Sequence, residues 1–262
     1  MKRWNIRART SRRPPITVSE ERGVRMLHLG GDHIQSAMRL AEPYALELDY
    51  TRCMMAFLLF HPHPRECLMI GLGGGSIAKF IHRNLRAVRT RVLELNPAVV
   101  IAARSLFHLP DDDARLAVEI GDGALAVRKL RRGCDLLFAD GFEDGAQVEG
   151  LTSEAFYADA WEALAEPGVL VTNFFGGDRK LDFYLRRVEA AFGGRTVCLE
   201  ARTDGNVIVF ALKGGRDAFT WDELRVRGER LEERYQLPFL RYVSSLRRMN
   251  PHTGERLLVA EE

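Results

Sequence analysis

The sequence lacks most of the features that would set a chain apart from ordinary globular proteins. Its 262 residues include four cysteines, Cys53, Cys67, Cys134 and Cys198, widely scattered and with no CxxC pair. That spacing suggests reduced thiols rather than a disulfide framework. No apolar stretch approaches the ~20 residues a membrane helix needs. The basic N-terminus is followed by no apolar run, so it does not read as a secretory signal. Neither sign of charge dominates: 38 Lys and Arg stand against 36 Asp and Glu, a formal net charge of +2. A global polyelectrolyte argument for nucleic-acid binding is therefore excluded. His61 and His63 in HPHP lack a third ligand, so no metal is expected. Internal repeats and low-complexity segments are absent. What remains is 46% hydrophobic and 28% charged residues, the composition of a soluble, cytoplasmic protein with a sizeable core. Neither a membrane nor a nucleic acid is an expected partner.

Four zones are expected along the chain. Lys2, Arg3, Arg7, Arg9, Arg12 and Arg13 crowd residues 1–14, which read as a flexible, solvated basic tail. Residues 15–64 combine short alternating runs (ITVSEE, VRMLHLGG, HIQSAM), which predict a small antiparallel sheet, with a linking helix over LELDYTRCMMAFLLF. Residues 65–214 alternate short apolar strands with amphipathic helices, the pattern of a mostly parallel sheet covered on both faces. Right-handed crossovers make that a doubly wound, Rossmann-like α/β unit. RTVCLEA and NVIVFAL, joined by the turn TDGN, close it as an antiparallel edge hairpin. Residues 215–262 read as an Arg/Glu-rich helical extension on the surface.

Ligands of doubly wound sheets lie outside the carboxyl ends of the strands. In chain order those ends carry Gly71-Leu72-Gly73-Gly74-Gly75, then Glu94, Asp122 and Asp140. The glycines allow a ligand to lie against bare backbone. Glu94, 19 residues past Gly75, is where such folds place an acid that accepts from ribose hydroxyls. Asp122 can accept from an adenine amine in the next crevice. Taken singly, each has a bland alternative, since a strand-end Asp is often a helix N-cap. The order on consecutive strands is what favours a site. A dinucleotide fingerprint wants glycine where Ser76 stands, and the GDG around Asp122 suits a nucleoside lying across the first three strand ends. Adenosine sulfonium compounds, S-adenosylmethionine and its decarboxylated form, are such ligands.

From about residue 24 to 212 the chain resembles the spermidine synthase (polyamine aminopropyltransferase) family. The resemblance is carried by LHLGGDHIQ, LDYTRCMMAFLL, MIGLGGGSIAKF, VLELNPAVVIAA and IGDGALAV. Most specific is CDLLFADGF followed by LTSEAFYADAWEALAEPGVLV. It implies transfer of an aminopropyl group from decarboxylated S-adenosylmethionine, a co-substrate, to a diamine such as putrescine. No permanently bound cofactor is implied, and a homodimer is. The attacking amine has a pKa near that of lysine, roughly 10, so a carboxylate beside it must take its proton. By resemblance Asp140 is that proton acceptor, Glu94 holds the ribose, Asp122 and Gly123 the adenine, and Gln35 lies near the nucleoside together with Gly71, Gly73, Gly74 and Gly75.

The departures fall on the amine half of the site. Gly74 stands where the family carries an Asp for the aminopropyl ammonium. Asp140-Gly141-Phe142-Glu143-Asp144 replaces the family's Asp-Ser-x-Asp-Pro, so Glu143 or Asp144 is a candidate for restoring acidity. Thr51 and Cys53 replace a Tyr-x-Glu pair, with Tyr50 one place early as a substitute. A second pocket Tyr has no counterpart around Thr203-Asp204-Gly205. The alternatives are an S-adenosylmethionine-dependent methyltransferase of the same fold, or a non-catalytic nucleoside-binding homologue.

Overall fold

The computed structural model describes residues 2–6, 16–31, 33–143 and 146–260. It opens with a four-stranded antiparallel sheet in the order β1 (Lys2–Ile6), β2 (Ile16–Glu21), β3 (Val24–Leu29) and β4 (Ile34–Arg39). The first of these corrects an expectation. Lys2–Ile6 is no tail: it pairs antiparallel with β2, Lys2 facing Glu20 and Ile6 facing Ile16. Opposite charges across the pair favour that register, and Trp4 sits 6.0 Å beneath the Arg25 guanidinium. Residues 7–14 lie outside the described residues. A short helix α1 (Asp49–Met54) and a 3-10 turn, Met55–Leu59, then lead into the main sheet.

That sheet is built from β5 (Glu66–Ile70), β6 (Arg89–Glu94), β7 (Leu116–Ile120) and β8 (Cys134–Ala139), interleaved with α2 (Ser76–Asn84), α3 (Pro97–Leu106) and α4 (Gly123–Lys129). A two-residue ladder, β9 (Phe142–Glu143) with β10 (Ala146–Gln147), follows. Then come α5 (Glu154–Ala163), β11 (Leu164–Phe175), α6 (Leu181–Ala191), β12 (Thr196–Ala201) and β13 (Asn206–Lys213). The strand order is β12-β13-β11-β8-β5-β6-β7. Strands β7 to β11 in that row run parallel, and β12–β13 is the expected antiparallel hairpin.

Both faces of this sheet are covered, which is why its strands read as continuous apolar runs. Along β5, Cys67 and Met69 enter one core cluster while Leu68 and Ile70 enter the other. On the first face Phe57 meets Phe138 edge-on at 5.7 Å. Each buried side chain of this kind contributes about 1.5–3 kcal/mol. The chain steps from β5 to β6 and β7 on one side, then returns to β8 and β11 on the other. This reversal opens a crevice at the carboxyl ends of β5 and β8.

Two further features position that crevice. Lys79, on α2 and 1% exposed, donates to the carbonyls of Phe107 at 2.6 Å and Pro43 at 2.7 Å. It thereby ties α2 to the segment after β4 and the loop after α3. The C-terminal region is also no surface appendage. A strand β14 (Ala218–Thr220) pairs with β15 (Arg256–Leu258) around α7 (Trp221–Tyr235) and α8 (Phe239–Leu246). Phe239, Tyr242 and Leu246 of α8 are buried in the same core as the first sheet face. Among the described residues, no helix is long and apolar enough to cross a membrane.

Candidate active site

A cavity of about 490 Å³ occupies the crevice, lined from β5, β6, β8, β11, the N-terminal sheet and the turn before β13. Its size suits a small-molecule ligand. Gln35, Tyr50, Gly71, Gly73, Glu94, Asp122, Gly123 and Asp140 all line it. Gly74 and Gly75 do not. Their bare faces serve packing instead: a Cβ on Gly74 would meet Phe107 Cδ1 and Ser36 Oγ, each at 2.8 Å, and one on Gly75 would meet Leu109. Glu143 lies in β9 with its side chain outside the described residues, and Asp144 is outside them altogether. His61 stands 4.0 Å from Asp135, and no group of three metal-ligating side chains occurs among the described residues.

One end of the cavity is organised by carboxylates that also hold backbone. Glu94, 9% exposed, accepts from the Leu72 amide at 3.0 Å and the Asn96 amide at 2.7 Å. The first bond pins the glycine loop to the end of β6, and the second sets the start of α3, which Asn96 caps. Asp122 is a helix cap, as the bland reading allows: its Oδ1 accepts from Ala124 and Leu125 amides. Its Oδ2 makes no hydrogen bond among the described residues, so one oxygen can serve a ligand. At Gly71, φ is +89° and a Cβ would lie 2.1 Å from the Asp140 carbonyl. Only glycine lets β5 and β8 end this close together.

At the other end, Asp140 follows β8 into the cavity. Asn173 Nδ2, from β11, donates to its Oδ1 at 3.0 Å, and Asn206 Nδ2 donates to Asn173 Oδ1 at 2.8 Å. Tyr50 Oη donates to the Gln35 carbonyl at 3.1 Å and also faces Asp140. Burial lifts the Asp140 carboxyl from its ordinary range to about 6, against the opposing pull of the Asn173 amide and of the Tyr50 hydroxyl that faces it. Although each keeps partial exposure to the cavity, burial also raises the Tyr50 phenol well above its ordinary value, with the charges of Asp140 and Asp204 adding to it. Asp204, in the turn before β13, accepts from the Tyr50 amide at 2.8 Å and lines the cavity. Phe175, 47% exposed, edges the same end.

Asn173, Asn206 and Asp204 are the residues that sequence reasoning missed. The turn around Asp204 stood out only as the place where a pocket Tyr was wanting, and nothing marked the two asparagines. One end of the cavity is therefore framed by Glu94 and Asp122. Its other end holds a base-competent carboxylate and a second carboxylate on either side of a tyrosine.

The spermine/spermidine synthase domain model matches residues 47–174. A polyamine aminopropyltransferase of Chromobacterium violaceum is 38% identical over 257 residues, 98% of each chain. The chain belongs to the polyamine aminopropyltransferase family. It is accordingly a transferase. A polyamine aminopropyltransferase of Neisseria meningitidis serogroup A is 36% identical over 243 residues, 92% of each chain. In fold, the chain is similar to a probable spermidine synthase from Corynebacterium glutamicum, with a TM-score of 0.71 at 18% identity over 96% of both chains.

Proposed function

We propose that the enzyme transfers the aminopropyl group of decarboxylated S-adenosylmethionine to a diamine such as putrescine, with Asp140 as the proton acceptor. The observation that carries this reading is the setting of Asp140. It is a carboxylate at the end of β8, braced by Asn173, with its pKa raised to about 6. At neutral pH such a group is ionised, attracts a cationic amine and accepts its proton more readily than a solvated Asp.

In the proposed reaction the diamine ammonium first loses a proton to Asp140. The freed nitrogen lone pair attacks the aminopropyl carbon bonded to sulfur. As the C–N bond forms, the C–S bond breaks and its electrons return to sulfur, leaving methylthioadenosine. The sulfonium charge already activates that carbon, so the protein's task is alignment and charge placement. Glu94 and Asp122 would hold ribose and adenine. Tyr50 and Asp204 would border the acceptor.

The glycine loop Gly71-Leu72-Gly73-Gly74-Gly75 carries no acid to pair with an aminopropyl ammonium, which favours one other reading, S-adenosylmethionine-dependent methyl transfer. Incubation with putrescine and each sulfonium donor separates the two. Methylthioadenosine from the decarboxylated donor, formed far more slowly by Asp140→Asn, is expected. Product from S-adenosylmethionine alone overturns the aminopropyl reading, and so does the absence of methylthioadenosine with every diamine.

A further inference from the structure

Asp49 begins α1 and is 6% exposed, yet it does not line the cavity. Its Oδ1 accepts from Arg241 Nη2 of α8 at 3.0 Å, and its Oδ2 accepts from the Thr203 amide at 3.4 Å. One residue along on each side, the bond runs the other way: the Tyr50 amide donates to Asp204 Oδ2 at 2.8 Å. The start of α1 and the turn between β12 and β13 are thus latched by two reciprocal amide–carboxylate bonds.

The latch brings two anions into one neighbourhood. Both act on Cys53, whose thiol is pushed up to about 12, chiefly by burial and then by Asp49, with Asp204 adding and Arg241 opposing. A buried carboxylate beside another is unfavourable unless a cation compensates it. Arg241 is the one cation hydrogen-bonded to Asp49 among the described residues. Its own side chain is 50% exposed, so its loss bears on the latch more than on the core.

We propose that Arg241 is a positioning residue for the acceptor end of the cavity. By neutralising Asp49 it keeps the latch closed, and the latch holds Tyr50 between Asp204 and Asp140. The C-terminal helix α8 thereby reaches the amine end through one guanidinium. The identity of the ligand at that end rests on the aminopropyl-transfer reading, but the latch itself does not.

Amide hydrogen exchange and steady-state kinetics with putrescine, on the full chain, test this. Arg241→Met is expected to speed exchange at Tyr50 and in the 202–206 segment by about tenfold. The KM for the diamine rises by a similar factor and by more than kcat falls, while methylthioadenosine affinity holds. Asp49→Asn removes the charge but keeps an oxygen for the Thr203 amide. In that background Arg241→Met costs little, the non-additivity expected of a coupled pair. Unchanged exchange in the segment, faster exchange throughout the molecule, or no rescue by Asp49→Asn overturns the proposal. So does an opened latch with an unchanged diamine KM. If the wild type turns over no diamine, the functional reading fails, and the exchange data still judge the latch.

Discussion

Asn173 donates its side-chain amide to Asp140 Oδ1 at 3.0 Å, and Asn206 fixes that amide's orientation by donating to Asn173 Oδ1 at 2.8 Å. The three residues sit at the ends of β8, β11 and β13, which are neighbours in the sheet. A row of strand ends therefore delivers a directed donor to one carboxylate oxygen. An unbraced carboxylate that buried would sit higher still in pKa.

The brace predicts a pH effect. Donation to the charged form lowers a carboxyl pKa, so Asn173→Leu raises that of Asp140 above about 6. A hydrogen bond to a charged group contributes about 1.5–3 kcal/mol, which corresponds to an upward shift of about one to two units. The acid limb of the kcat/KM profile should move up accordingly, and Asn206→Ala should move it less in the same direction. A limb unmoved by Asn173→Leu would mean that Asp140 is not the group titrating.

Asp140→Asn should lower kcat by about 10²–10⁴, the usual worth of a positioned base. Methylthioadenosine affinity, measured by calorimetry, should stay near that of the wild type. The same substitution has a stability signature. The folded pKa of about 6 lies above the unfolded value. The folded state thus binds more protons in between, and wild-type stability falls as pH rises through that window. The variant lacks this loss. Its Tm relative to wild type should climb between about pH 4 and 6 and then level off; a flat difference would contradict the raised pKa.

The fold and half of the site were legible for one reason: a parallel doubly wound sheet collects its ligand-facing residues at consecutive strand ends. Gly71, Glu94, Asp122 and Asp140 follow that rule and all reach the cavity. The amine end was not legible, because its partners are set by returns of the chain over long separations. Tyr50 meets Asp204 across 154 residues, and Asp140 meets Asn173 across 33. Gly74 and Gly75 looked like part of the ligand loop, but the packing of Phe107 and Leu109 against them depends on the loop after α3. Lys2–Ile6 read as a tail because an edge strand takes its register from a partner, not from its own composition.

Gly74 supports a prediction that distinguishes a missing acid from an excluded one. A Cβ there would lie 2.8 Å from both Phe107 Cδ1 and Ser36 Oγ, and Phe107 is fully buried. Gly74→Asp should therefore destabilise the protein by about 1–3 kcal/mol, the usual cost of overpacking. It should also fail to tighten binding of the decarboxylated donor. Urea denaturation with donor titration checks both. An unchanged midpoint with tighter binding would show that the ring yields and that the position faces the ligand.

Lys79 yields the last prediction, and its sign is opposite to that of Asp140. Burial lowers its ammonium pKa to about 8, while the unfolded chain keeps the ordinary value near 10.4. Between those pH values the unfolded state holds the extra proton, so wild-type stability gains as pH rises through the window. Below it the protonated amine costs stability, though bonds to Pro43 and Phe107 offset part of that cost. Lys79→Met removes both the charge and the two bonds. Its stability relative to wild type should be best at neutral pH and worsen steadily from about pH 8 to 10. Tm differences across that range measure this directly, and a pH-independent difference would mean that Lys79 keeps its proton in the folded enzyme.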